Sequence, residues 1–229
     1  MKAVTETIIL AAGEALGFWP VSLSKPKTLI EIREKPLLYH QLDWLCQWGI
    51  DRVIITLQRK HYDAIYTTLK DGLPYPVSVE LVCDEEPPGS AGSTRSALNY
   101  IKNEEFLVIN CDDITDVDIG ALCRVGSPAI SITPYRLRFG LVEVEPENNV
   151  VKSFGEKPVL KEYTSCGWYL MSKAVEFPER GSFEYDVFPK LVQAGTLKAY
   201  KHNGMWWTVN NWREKYELEK AWAGKGPRW

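Results

Sequence analysis

Thr7-Ile-Ile-Leu-Ala-Ala-Gly13 is the stretch whose reading decides the fold. Six apolar or β-branched residues in a row, closed by a glycine, read as a strand buried on both faces that feeds a loop. Three similar runs follow: Arg52-Val-Ile-Ile-Thr56, residues 77–83, and Phe106-Leu-Val-Ile-Asn110. Between them lie stretches with apolar residues at helical spacing. Residues 36–49 begin with Pro36 and end with Gly49, as helix ends prefer. Residues 61–69 form a second such stretch. Residues 93–102 form a third, with Ser93 or Gly92 as its cap. Strands alternating with helices predict right-handed βαβ units and a mainly parallel sheet, an α/β fold.

Beyond about residue 129 the pattern changes. Short strands are expected over 129–133, 140–144, 150–154 and 165–171, as mixed or antiparallel sheet added to the first part. Helices are expected over 183–193 and 213–223. Neither an internal repeat nor a long linker interrupts the 229 residues, so one domain with two lobes is expected, divided near residue 125.

Composition narrows the function classes. Hydrophobic residues make up 45% and charged residues 25%, and the formal net charge is −3, so no basic field suits nucleic acid or an anionic membrane surface. The five cysteines are scattered without a CxxC pair, which argues against a disulfide framework or a structural zinc site. His40, His61 and His202 lie far apart, which argues against a His-rich metal site. A charged-then-apolar leader and a bilayer-length apolar run are both missing from the sequence, so a cytoplasmic, reducing compartment is the expectation. Nine tryptophans are unusual. Trp206, Trp207, Trp212, Trp222 and Trp229 crowd the last segment, where they either pack a C-terminal helix on the sheet or offer a surface to a partner, including a second copy of the chain.

Open α/β sheets bind ligands at the carboxyl ends of their strands. The loop there is Ala11-Ala-Gly-Glu-Ala-Leu-Gly-Phe-Trp-Pro20, followed by Lys25-Pro-Lys27. Its backbone amides and two lysines suit a phosphate group; an ordinary surface loop with solvated lysines is the competing reading.

The wider pattern resembles the sugar-1-phosphate nucleotidyltransferase family. That family opens with Leu-Ala-Ala-Gly-x-Gly-Thr-Arg-x-x-Pro and then Pro-Lys-x-Leu. Leu10-Ala-Ala-Gly13, Pro20 and Pro26-Lys27-Thr-Leu29 match in register. Pro88-Gly-Ser-Ala-Gly92 resembles the family's Gly-Thr-Ala-Gly turn, and Val108-Ile-Asn-Cys-Asp112 its strand ending in Gly-Asp. Phe139-Gly-Leu-Val-Glu143, Phe154-Gly-Glu-Lys-Pro158, Cys166-Gly-Trp-Tyr169 and Ser182-Phe-Glu-Tyr-Asp186 resemble segments of its acceptor half. The tail from Trp206 to Lys215 looks most like the glucose-1-phosphate cytidylyltransferase branch.

The resemblance implies a three-layer Rossmann-like fold with a nucleotide half over about 1–125 and an acceptor half over about 126–229. It implies Mg²⁺-dependent transfer of a nucleoside monophosphate from an NTP, CTP by the tail, to a sugar 1-phosphate. By match, Asp112 binds metal, or else caps the segment that follows it; Asp113 and Asp116 are competing carboxylates nearby, and Asn210 stands at the second metal position. Lys27 binds triphosphate oxygens, and Lys25 assists or is simply solvated. Leu10, Ala11, Ala12, Gly13, Gly89, Ser90 and Gly92 line the nucleotide. Glu156 and Lys157 hold the acceptor, or pair with each other structurally. Gly140 and Gly167 let backbone approach the acceptor, or are bulges or tight packing points.

Two departures stand out. The family's triphosphate-gripping arginine is Gly17, and its second metal carboxylate is Asn210. Three readings follow: an active enzyme in which Lys25 or another basic residue substitutes, an impaired relative that binds nucleotide or sugar phosphate and regulates a partner, or an enzyme with a non-sugar phosphorylated acceptor.

Overall fold

The structure, a computed structural model, describes residues 4–70, 72–74 and 76–222. In chain order the elements begin with β1 (Glu6–Ala11), the short pair β2 (Glu31–Ile32) and β3 (Lys35–Pro36), α1 (Leu37–Gln47), β4 (Arg52–Gln58), α2 (Tyr62–Leu69), β5 (Ser78–Asp84) and α3 (Gly89–Ala97). They continue with β6 (Glu105–Asn110), β7 (Asp113–Thr115), α4 (Ile119–Val125), β8 (Ala129–Arg136), β9 (Leu141–Val144), β10 (Val151–Gly155) and β11 (Val159–Ser172). The chain closes with α5 (Phe188–Gln193), β12 (Lys198–Lys201), β13 (Trp206–Thr208) and α6 (Trp212–Trp222).

Seven strands make the central sheet, in the order β12-β8-β11-β6-β1-β4-β5. β1 runs parallel to β4 and β6, and β4 parallel to β5, as the apolar runs predict. β11 is antiparallel to both β6 and β8, and it fastens the second part of the chain to the first. Both faces of the sheet are covered, and the strand period of two sorts the core. Ile9, Ile55, Leu107 and Ile109 face Leu38, Leu42 and Leu45 of α1 and Leu122 of α4. Ile8, Ile54, Phe106 and Val108 face Ala91 and Ala97 of α3, with Phe177 and Phe183. This is a three-layer, Rossmann-like α/β arrangement.

Several boundaries differ from the sequence reading. The third helix begins at Gly89, so Gly92 and Ser93 lie inside it and cap nothing. Its free N–H groups are satisfied from afar: Ala91 N donates to the Gly181 carbonyl at 3.0 Å. Small residues are needed because that backbone passes so close. A Cβ on Gly89 (φ +83°) would lie 2.2 Å from Gly181 O, and one on Gly92 2.6 Å from Glu179 O. The helix expected over 183–193 opens as a π turn, Phe183–Val187, before α5. Pro189, which has no N–H to give the preceding turn, stands at that junction. β9 and β10 pair only with each other, as a ribbon separate from the main sheet. β12, β13 and α4 were not anticipated. Residue 223, the expected end of the last helix, and Trp229 lie outside the described residues.

Among the described residues, no helix is long and apolar enough to cross a membrane. The tail tryptophans contact their own chain. Trp212 meets Phe18 edge-on at 5.1 Å, Trp222 lies 5.0 Å from His40, and Trp206 donates to Asp113.

Candidate functional site

A cavity of about 280 Å³ opens at the carboxyl ends of β1 and β6. Leu10, Ala12 and Gly13 form one wall, Gly89, Ser90 and Ser93 of α3 another, and Lys27 and Asp112 stand at the floor. Gln58 donates to the Ala12 carbonyl at 2.6 Å and fixes the start of the loop. Ala11 is buried in the core and Gly92 packs on Glu179, so neither lines the cavity. Ala15, Pro87, Ser93, Asn110 and Cys111 line it as well.

The floor is the chemically loaded part. Lys27 Nζ donates to Asp112 Oδ2 at 2.6 Å and to Asn210 Oδ1 at 2.7 Å. Three side chains remote in sequence thus converge on one point, with Lys27 and Asp112 only 14% and 17% exposed. Burial pulls the Lys27 ammonium down, but the Asp112 carboxylate and further anionic neighbours outweigh it, so its pKa lies above the ordinary lysine value. Lys27 therefore carries its positive charge at neutral pH. Asn210 is fixed in turn, its N–H donating to Glu214 Oε2 at 2.7 Å and its Nδ2 to Thr208 Oγ1 at 2.7 Å. Glu214 also receives a cap: its N–H donates to Asn211 Oδ1 at 3.0 Å, so the first turn of α6 carries Asn210 to the site.

The competing carboxylates are otherwise engaged. Asp113 is buried and accepts from Asn110 Nδ2 at 3.1 Å and Trp206 Nε1 at 2.9 Å. Burial, with Asp112 alongside, pushes its carboxyl well above the usual range. Asp116 accepts from Met205 N and faces His202. Lys25 turns away to Glu31 at 2.7 Å on the surface and lines no part of the cavity.

Loop residue Gly17 abuts the same region. A Cβ there would lie 2.1 Å from the Asn210 carbonyl oxygen and 2.9 Å from Asn211 Cβ. The loop's short 3-10 turn, Leu16–Phe18, is packed onto the start of α6 by the Phe18–Trp212 contact.

On the acceptor side, Glu156 and Lys157 are exposed and make no ion pair or hydrogen bond among the described residues, so the structural-pair reading drops out. Gly140 is a packing point, because its Cβ position is taken by the Phe154 ring at 2.6 Å. Gly167 (φ +70°) sits at an irregularity of the β11–β8 pairing, and a Cβ would lie 1.8 Å from Asp113 Oδ2. Gly167→Ala is therefore expected to destabilise the fold by roughly 2–3 kcal/mol through overpacking and the left-handed backbone. A urea midpoint equal to that of the parent protein would disprove this reading of Gly167.

A sequence profile of the family described as Nucleotidyl transferase matches residues 6–223 of this chain. The chain belongs to the nucleotidyl transferase family. Among relatives of this chain are the mannose-1-phosphate guanyltransferase beta-A of Xenopus laevis, 27% identical over 219 residues, and mannose-1-phosphate guanylyltransferase 1 of Arabidopsis thaliana, 27% identical over 226. The matches take in 89% and 91% of this chain, but the chain spans only 61% and 62% of those relatives' length. Among solved structures, HddC from Yersinia pseudotuberculosis is 26% identical with a TM-score of 0.76, over 96% of this chain and 100% of that one. A second HddC structure, complexed with GMP-PN, is 25% identical with a TM-score of 0.74 over the same shares. The motif resemblance and the family match thus agree on the family.

Proposed function

We propose that this chain transfers a nucleoside monophosphate from an NTP to a sugar 1-phosphate, releasing pyrophosphate. The observation that carries the proposal is the convergence of Lys27, Asp112 and Asn210 at the floor of the cavity. A phosphate oxygen of the acceptor attacks the α-phosphorus, a new P–O bond forms, and the bond to the bridging oxygen breaks as pyrophosphate departs. This chemistry needs positioning and charge neutralisation rather than a covalent intermediate. In this reading Leu10, Ala12, Gly13, Gly89 and Ser90 hold the nucleotide, and Lys27 holds triphosphate oxygens with its ammonium. Lys157 and Glu156 of the acceptor half bind the acceptor phosphate and hydroxyls.

The donor set fits Mg²⁺. Asp112 Oδ2 and Asn210 Oδ1 are hard oxygens that already converge on one cationic point, and Mg²⁺ is commonly held by one or two such ligands plus substrate phosphates. Among the described residues no group of three or more His, Cys, Asp or Glu side chains forms a self-sufficient metal cage, so nucleotide phosphates would complete the coordination. When bound, the ion neutralises charge on the reacting phosphates. The uncharged Asn210 leaves Asp112 as its one anionic ligand.

The relatives' names support testing guanosine first, beside the cytidine suggested by the tail. Pyrophosphate release should be measured for GTP, CTP, UTP, ATP and dTTP against a panel of sugar 1-phosphates and phosphorylated alcohols. Turnover that requires both Mg²⁺ and an acceptor phosphate is the expected outcome. Nucleotide binding by calorimetry without turnover for any pair would instead support the regulatory relative, the reading that the substitutions at Gly17 and Asn210 favour. Turnover with phosphorylated alcohols alone would support the non-sugar acceptor.

A further inference from the structure

Behind Asn210 the molecule carries a second, larger recess that the transfer of a nucleotide does not by itself require. Two adjoining cavities of about 520 and 660 Å³ share Arg136, Arg138, Trp207, Glu214 and Glu217 in their walls. The recess adjoins the reaction floor: Thr208, bonded to Asn210, lines the smaller cavity, and Asn211 lines the larger. Lys157 and Arg213 complete the larger one. Four cationic side chains therefore face two carboxylates, in a chain whose net charge is −3. Both carboxylates are already engaged, Glu214 with Arg138 at 2.5 Å and Glu217 with Arg213 at 2.9 Å. Arg136 and Lys157 are left with no ion pair or hydrogen bond among the described residues.

These two cations are neighbours. Leu137 N donates to the Pro158 carbonyl at 3.0 Å, and Arg136 stands opposite Val159 in the β8–β11 pairing. Lys157 is also held at φ +46°, a left-handed conformation that a lysine adopts only at a cost. An exposed arginine is ordinarily a solvated surface charge. Here it instead lines a recess walled by Trp207 and stands beside a second uncompensated cation.

We propose that the acceptor carries a second anionic group, a carboxylate or a further phosphate, which Arg136 binds while Lys157 takes the phosphate that reacts. The inference rests on the transfer reaction proposed above. A guanidinium presents a planar fork of donors that matches either anion, whereas a neutral sugar hydroxyl gains little from it.

Calorimetric titration of the full chain with glucose 1-phosphate, glucuronic acid 1-phosphate and glucose 1,6-bisphosphate tests this. At least one acceptor with a second anionic group should bind about tenfold tighter than glucose 1-phosphate, the worth of one charge-assisted contact. An advantage confined to the uronate names a carboxylate, and one confined to the bisphosphate names a phosphate. Arg136→Gln should erase the advantage and leave glucose 1-phosphate unchanged, while Arg136→Lys keeps part of it. Equal affinity for all three, no binding of any, or an advantage that survives Arg136→Gln would overturn the inference. Titration with GTP and CTP on the same samples separates the two ideas. If nucleotides bind and the advantage of the second anion is missing, only the second-anion inference falls; if nucleotides also fail to bind, the transferase reading falls with it.

Discussion

Asp112→Ala should lower pyrophosphate release at least about 10³-fold while the protein stays folded. The carboxylate accepts the Lys27 ammonium at 2.6 Å, is itself 17% exposed, and sits at the end of β6 where the cavity floor begins. Removing it leaves Lys27 with Asn210 Oδ1, a neutral acceptor, and strips the floor of its one anionic oxygen aimed at that point. The lost partner also costs stability, up to about 3 kcal/mol, because a mostly enclosed lysine loses its anionic partner. Asp112→Asn keeps the shape and the hydrogen bond and isolates the charge. It should lose comparable turnover with a smaller fall in the urea midpoint. Full activity in both variants would remove Asp112 from the chemistry.

Gly17→Arg, which restores the family's arginine, should reduce activity rather than rescue it. Position 17 has no room: a Cβ would meet the Asn210 carbonyl oxygen at 2.1 Å. Any side chain there must push the loop off α6 or push Asn210 off Lys27. The expected cost is about 3 kcal/mol of stability, at the upper end of overpacking effects, together with lower turnover. A gain in rate at unchanged stability would show that the loop is damaged and repairable. The geometry instead describes a loop rebuilt around glycine, with Phe18 seated on Trp212 where a charged grip stands in the family. Lys25 does not replace that grip, since it is paired with Glu31.

The parallel core was legible because fully buried strands leave continuous apolar runs, and β1, β4 and β6 do so. The start of α3 was not. Gly89-Ser-Ala-Gly-Ser93 has poor intrinsic helix preference, and the carbonyl that caps it belongs to Gly181. Lys25 and Lys27 are alike in sequence, and only their partners, Glu31 and Asp112, separate a surface ion pair from a site. Motif matching found Lys27, Asp112 and Asn210 individually, but nothing local shows that one ammonium touches both oxygens. Gly140 and Gly167 marked close approach correctly as residue types. What approaches them is Phe154 and Asp113, both from their own chain. Arg136 carried no motif, and its standing depends on which carboxylates have already been taken by Arg138 and Arg213.

The first loop and the last helix lean on each other through Gly17, Phe18, Asn210 and Trp212. This has a consequence for the order in which the protein is made. A ribosome delivers β1, β4, β5 and β6 early, and with them most of the cavity wall. Lys27 and Asp112 then exist as neighbours, but their third member does not. Asn210 reaches them only after β13 has paired with β7 and α6 has begun. A nascent chain that has not yet reached Asn210 is therefore a half-built pocket.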